Sequence, residues 1–196
     1  MANGLKKKIK NTAKFTLGAF NAWINGVKIG KHVYIGRHFK CNVREAGSVV
    51  IGNHVGISTN STFLTLLPDS KIIIRDHVNI FHHFQINSAN YVEIKSNVII
   101  APFVFICDHN HRFEDISRPI AGQGIDMKPN AHIIIDEDTW IGTKVTILGT
   151  VHVGKHCVIG ANSVVTKDIP DYSIVAGIPA KIIKRYNFST KQWEKV

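Results

Sequence analysis

The 196-residue chain has only three cysteines, few acidic residues, no long apolar run and no helical periodicity through most of its length. Cys41, Cys107 and Cys157 are odd in number and far apart, which excludes a disulfide framework and reads as reduced packing thiols in a cytoplasmic protein. No stretch reaches the roughly eighteen apolar residues of a membrane-spanning helix. The segment from Leu5 to Trp23 carries Leu5, Ile9, Phe15 and Phe20 but is broken by Lys14 and Asn21 and has no cleavage site, so a secretory signal is rejected as well. Its lysines point to a basic amphipathic helix, expected as a cap on the first structural unit, with peripheral contact at the inner face of a membrane as the lesser reading.

Asp and Glu number 14 against 24 Lys and Arg, giving a formal charge of +10. That balance raises the question of nucleic acid, but the basic residues are not interleaved with aromatics and form no recognised binding module, so no nucleic-acid partner is expected. The surplus crowds the ends: Lys6, Lys7, Lys8, Lys10 and Lys14 at one, Lys181, Lys184, Arg185, Lys191 and Lys195 at the other. An anionic small molecule accounts for part of it.

What is present is a beat of six. Ile29 and Ile35, then Ile51, Ile57 and Phe63, Ile74, Ile80 and Ile86, Ile94, Ile100 and Ile106, Ile135, Ile141 and Ile147, and Val153, Ile159 and Val165 all fall on it. Six matches neither the helix repeat of 3.6 nor plain strand alternation, so the chain stacks short similar units as a parallel β-helix. Three units make a triangular coil of eighteen residues, the spacing between Ile135 and Val153. Openers Ile29, Ile51, Ile74 and Ile94 lie 22, 23 and 20 residues apart, so some corners carry small extra loops. No coil buries its own interior, and stacking supplies the core. The expected organisation is an N-terminal cap over residues 1–25, a β-helix over 26–179 and a C-terminal helix over 180–196, leaving no room for a second globular domain.

One large interruption stands out, a loop over residues 107–132 that opens Cys107-Asp108-His109-Asn110-His111. Long loops on rigid scaffolds are disproportionately functional, and histidine there is the natural suspect.

Asn97-Val-Ile-Ile-Ala-Pro102 before the loop, the Asp-His at its start, Trp140-Ile-Gly142 after it, the run from Ile159 to Pro170 and Gly177-Ile-Pro179-Ala-Lys181 together resemble the hexapeptide-repeat acyltransferases. The similar branch contains the galactoside, maltose and nodulation-factor O-acetyltransferases and the acetyltransferases of bacterial surface polysaccharides, and the likeness covers about Val49 to Arg185. It implies an all-β, left-handed parallel β-helix, a homotrimer with active sites between subunits, acetyl-CoA as acyl donor, a carbohydrate acceptor and no metal. By position it implies His109 as general base, with His111 as competitor and Asp108 or Glu114 holding the ring's other nitrogen; imidazole suits the task by its pKa. It places Trp140, Gly142, Thr143, Ala161, Ser163, Thr166, Lys167, Lys181 and Lys184 along coenzyme A, with a backbone N–H near Gly142 meeting the oxyanion. His82, His83 and Asn87 are the acceptor candidates.

The expected reaction is direct acetyl transfer to a sugar hydroxyl, with no covalent enzyme intermediate and Cys107 as a packing residue. N-acetylation of a nucleotide-linked amino sugar is the alternative on the same fold. A zinc site of the gamma carbonic anhydrase kind and a non-catalytic β-helix complete the alternatives; the His-Asn-His spacing argues against the former, the single histidine-bearing loop against the latter.

Overall fold

The computed structural model describes residues 18–126, 128 and 130–196. The beat of six is realised as strands of two to four residues that wind into three parallel sheets, one strand of each sheet per coil. Lys28–Ile29, Val49–Ile51, Lys71–Ile74, Tyr91–Ile94, His132–Ile135 and Val151–Val153 lie side by side as the first sheet. Tyr34–Ile35, Gly56–Ile57, Asn79–Ile80, Ile99–Ile100, Trp140–Ile141, Val158–Ile159 and Ser173–Ala176 form the parallel part of the second. Lys40–Asn42, Thr62–Thr65, Gln85–Ser88, Phe105–Cys107, Thr146–Leu148 and Val164–Val165 form the third.

Registry follows the beat residue by residue. Ile51, Ile74, Ile94, Ile135 and Val153 are stacked partners in the first sheet. Ile35, Ile57, Ile80, Ile100, Ile141, Ile159 and Val175 stack in the second. Phe63, Ile86, Ile106, Ile147 and Val165 stack in the third. All of these are buried. Full burial of each such side chain stabilises by about 1.5–3 kcal/mol relative to exposure, so the three columns are the core. A one-residue slip would turn an entire column to solvent.

Two of the three corners use left-handed backbone, each once per coil. Between the first and second sheets these residues are His32, His54, His77, Asn97, Asp138, His156 and Tyr172; between the second and third they are His38, Asn60, His83, Phe103, Lys144 and Asn162. Asn, Asp and His tolerate this conformation better than most side chains, which accounts for much of the chain's histidine. Stacked corners bring rings together, His32 on His54 at 4.8 Å and His54 on His77 at 5.0 Å.

The drift in coil length has one location. Within every coil the three inward columns keep the spacing of six, so all surplus residues enter where the third sheet returns to the first. We call this the third edge, and the corners after the first and second sheets the first and second edges. The long loop leaves from the third edge, between Cys107 and His132.

The expected C-terminal helix is not there. Residues 180–196 form an antiparallel pair, Lys181–Asn187 against Ser173–Ala176 and Gln192–Lys195 against Lys184–Asn187. An exposed edge strand demands a partner, and the alternation of half-buried Ile182, Lys184 and Tyr186 with exposed Lys181, Ile183 and Arg185 supplies one. The turn is held by Asn187 Oδ1, which accepts from Ser189 N at 2.9 Å, while Tyr186 packs edge-on against Phe188 and Trp193. At the other end, residues 18–24 are helical: Ala22 is buried in the core cluster and Asn21 Nδ2 donates to Phe39 O at 3.4 Å. Most of the expected basic helix, including all its lysines, falls outside the described residues. Among the described residues no helix is long and apolar enough to cross a membrane.

Candidate active site

The loop begins with a buried carboxylate. Asp108 follows directly on Phe105–Cys107 and turns inward beneath the corner that joins Gln85–Ser88 to Tyr91–Ile94. It accepts hydrogen bonds from Ser88 Oγ at 2.9 Å, Ala89 N at 2.7 Å, Asn90 N at 2.9 Å and Tyr91 N at 3.0 Å. Burial pushes its pKa up, but His109, the backbone N–H groups and the Ser88 hydroxyl outweigh that and hold it below the usual carboxylate range. The residue is an ionised staple between one coil and the root of the loop.

His109 sits on that staple. Its Nδ1 lies 3.2 Å from Asp108 Oδ1, and its side chain is only 8% exposed. The Cys107 sulfur lies 3.5 Å from Nδ1, and its thiol donates to the His109 carbonyl at 3.3 Å. Asp108 first, then Cys107, raise the imidazole pKa to about 9 against the opposing effect of burial. With Nδ1 committed to the carboxylate, Nε2 is the nitrogen left for chemistry. Beside the ring is a cavity of about 60 Å³ lined in part by Asn110, Asp126, Lys128 and Thr150.

His111 differs in every respect. It is exposed, on the short strand Asn110–His111 that pairs antiparallel with Ile125–Asp126 at the neck of the loop. Glu114 is exposed, and its carboxylate accepts from the Phe113 N–H at 3.0 Å, whereas the carboxylate bonded to the imidazole is that of Asp108. Asp108 is therefore the ring's partner. The outer loop braces itself through Gln123, which bonds Asp115 and Arg118, and leaves Phe113, Ile116 and Ile120 exposed.

The residues assigned to coenzyme A divide among different parts of the fold. Thr143 and Ala161 lie on the second edge in adjacent coils, where Thr143 O accepts from Asn162 N at 2.9 Å. Trp140 projects from the second sheet, 53% exposed, in register with exposed Ile99 and with Val158. Exposed Thr166 and Lys167 follow Val164–Val165 at the third edge. Lys181 and Lys184 lie on the added C-terminal strand, opposite Ala176 and Ile174. His82 and His83 share the second edge with Thr143, whereas Asn87 is on the third sheet next to Cys107.

Two of these residues have their polar groups engaged within the fold. Ser163 faces inward, with no exposure; its hydroxyl donates to Gly160 O at 2.6 Å and accepts from Gly177 N at 3.2 Å, so the side chain closes a coil. The Gly142 N–H donates to Ile159 O at 2.8 Å and is unavailable to an oxyanion. Gly142 is required because a Cβ there would lie 2.7 Å from Ala161 N and Ile159 O. The neighbouring Thr143 N–H has no bond among the described residues and is the free donor at this corner. Neither the four donors on Asp108 nor the sulfur contact was expected; both depend on which coil lies beneath the loop.

The repeat over residues 132–167 matches the family model described as bacterial transferase hexapeptide (six repeats). Over 161 residues the chain is 37% identical to the Escherichia coli (strain K12) protein named as a lipopolysaccharide biosynthesis O-acetyl transferase, WbbJ, covering 80% of this chain and 82% of that one. The chain belongs to the bacterial hexapeptide-repeat transferases, and it is an acyltransferase. It is 30% identical to the galactoside O-acetyltransferase of Lactococcus lactis subsp. lactis over 163 residues, 83% of this chain and 64% of the other. Several further curated relatives are longer, this chain spanning 52%, 57% and 46% of three of them. Among solved structures it is similar to a hexapeptide-repeat acetyltransferase of Vibrio cholerae O1 biovar eltor, VCA0836, complexed with acetyl coenzyme A. The TM-score is 0.56 at 27% identity, over 86% of this chain and 75% of that one.

Proposed function

We propose that this protein transfers an acetyl group from acetyl-CoA to a sugar hydroxyl of a bacterial surface polysaccharide or its precursor, in the cytoplasm. The observation that carries the reading is the Asp108–His109 pair, a buried ionised carboxylate fixed by four donors and aligned on Nδ1 of an imidazole at the root of the long loop. The relatives named for lipopolysaccharide and galactoside O-acetylation support the reaction class, and the acetyl-CoA complex supports the donor.

The chemistry follows from those groups. His109 Nε2 takes the hydroxyl proton as the sugar oxygen attacks the thioester carbonyl. The Thr143 N–H meets the oxyanion. Collapse of the tetrahedral species breaks the C–S bond, and the imidazolium returns the proton to the departing coenzyme A sulfur. No acyl-enzyme is formed. Trp140 walls the acyl group, Thr143 and Ala161 border the pantetheine, and Thr166, Lys167, Lys181 and Lys184 take the phosphates as point charges.

His109 lies on the third edge and Thr143 on the second, so one protomer holds the two halves of this site apart by the length of a third-sheet strand, on the order of 10 Å. They meet when the loop of one copy reaches the second edge of another, which is the argument for a homotrimer with shared sites. Exposed Phe113, Ile116 and Ile120 on the loop supply apolar surface for that contact.

The test is acetyl-CoA incubated with a panel of hydroxy and amino sugars, following thiol release. Loss of turnover in His109→Ala with retention in His111→Ala supports the assignment; the reverse moves the base to His111. Transfer to amino sugars alone would replace O- by N-acetylation, and no turnover with any acceptor would remove the activity.

A further inference from the structure

The second edge continues below the acyl-donor residues to the first coil. Its left-handed corners, Asn162, Lys144, Phe103, His83, Asn60 and His38, succeed one another one per coil, each N–H bonded to the coil before it down to Asn60 N on Arg37 O at 3.0 Å. At the middle of the column Phe103 and His83 are stacked at 4.7 Å with ring planes 3° apart, and His82 packs edge-on against both. Below them Asn60 Nδ2 is 3.4 Å from His83 Nε2, and a cavity of about 360 Å³ opens, lined by His38, Lys40, Asn60, Thr62 and His83. Lys40, Thr62 and Gln85 are register neighbours on the outer face of the third sheet.

This stretch of surface combines a cavity, stacked rings and cationic side chains in one place. On the first sheet Arg75 pairs with Glu93 at 2.6 Å, and Lys95 and His152 with Asp136 at 2.6 and 2.8 Å, which leaves Lys28 and Lys71 without an ion-pair partner among the described residues. The second sheet shows apolar Ile99 and Trp140. On the second edge His38 and Lys40 line the groove and Arg37 stands beside it on the same corner, and among the described residues none of the three side chains has an ion-pair partner. A groove with a flat aromatic platform, convergent amides and hydroxyls, and cationic groups at its far end is built for an elongated polar ligand with an anionic terminus. Coils are spaced about 4.8 Å apart, so from His83 to His38 is about 10 Å, room for about two linked pyranose rings.

We infer that the acceptor is a saccharide chain rather than a single sugar. Its acetylated unit lies against His82 and Phe103, one coil below Thr143, about two further units descend from His83 to His38, and His38 and Lys40, with Arg37 beside them, hold an anionic group at the end of the span. The inference rests on the acetyl-transfer reading and sharpens its substrate class. The anion is a carboxylate of an acidic sugar or a phosphate at the reducing end, and the test separates the two.

Acetyl transfer is measured with a set of monosaccharides, neutral trisaccharides, uronate-containing trisaccharides and trisaccharides with a reducing-end phosphate. The expected result is a kcat/KM at least tenfold higher for trisaccharides than for monosaccharides, with a further rise for one of the anionic series. In Lys40→Gln and Arg37→Gln that further rise disappears through KM, while turnover of monosaccharides is unchanged. Equal kcat/KM for one and three sugars overturns the inference and leaves acetyl transfer standing, as does a Lys40→Gln effect of the same size on every acceptor. Absence of transfer to all acceptors overturns both. Circular dichroism on both variants confirms that the coils remain folded.

Discussion

At the scale of single residues the Asp108–His109 pair sets the pH behaviour. The imidazole's folded pKa is raised to about 9, so at neutral pH it rests protonated and must lose that proton before it acts as a base. Turnover is expected to rise with pH toward about 9 in a kcat/KM profile. Asp108→Asn removes the first cause of the shift, and the midpoint should fall toward the ordinary imidazole range near 6.5 with kcat reduced; an unmoved midpoint would assign the limb to another group. Stability carries the opposite signs. His109, raised, contributes stability that is complete below about 6.5 and is lost as pH climbs through about 9. Asp108, depressed, contributes stability present above about 3.9 and lost as pH falls through its lowered folded value. Denaturant titrations across pH should show both slopes in the parent and neither in Asp108→Asn, which also leaves four donors short of a charged acceptor and should cost about 1–3 kcal/mol. The histidine and its aspartate were legible in the sequence because they open the loop. The inward turn of Ser163 was legible too, four places after Ile159.

At the scale of elements the period of six determined the strands, their inward faces and their registry, because only one register buries the Ile columns. What it could not show was the fate of the chain past Pro179. Lys181-Ile-Ile-Lys-Arg-Tyr-Asn mixes charge and apolar residues in a way that fits one helical stripe as well as one strand, and the unpaired edge of Ser173–Ala176 decides between them. The pair formed by residues 181–187 and 192–195 thus acts as the terminal cover of the solenoid. A chain truncated after Ala180 should expose that edge and self-associate beyond its native assembly, visible as high-mass species in size-exclusion chromatography; a truncated protein of native size would show that the edge needs no cover. Coil spacing sets the other constraint. Gly142→Ala places a methyl 2.7 Å from backbone of the next coil, and the expected outcome is a drop in Tm of several degrees along with activity, since a backbone atom has little freedom to move aside.

At the scale of the whole molecule a prism has three edges, and the proposed reaction needs parts of two. The loop with His109 leaves the third edge, whereas Thr143, Ala161 and the acceptor groove lie on the second. If the site is shared between copies, two inactive variants should rescue each other. His109→Ala lacks the base but has a sound second edge; Thr143→Trp blocks the second edge but has a sound loop. In trimers formed from equal amounts of the two, any interface that joins the loop of a Thr143→Trp chain to the edge of a His109→Ala chain is complete, and random assembly makes that roughly a quarter of all sites. Co-expression or unfolding and refolding of the mixture should therefore restore about that fraction of the parent activity, with a native mass near three times 21.8 kDa. A site contained in one chain gives no rescue in any mixture, because every chain then carries a lesion in its own centre. The experiment reads the architecture directly, and it does so whichever saccharide proves to be the acceptor.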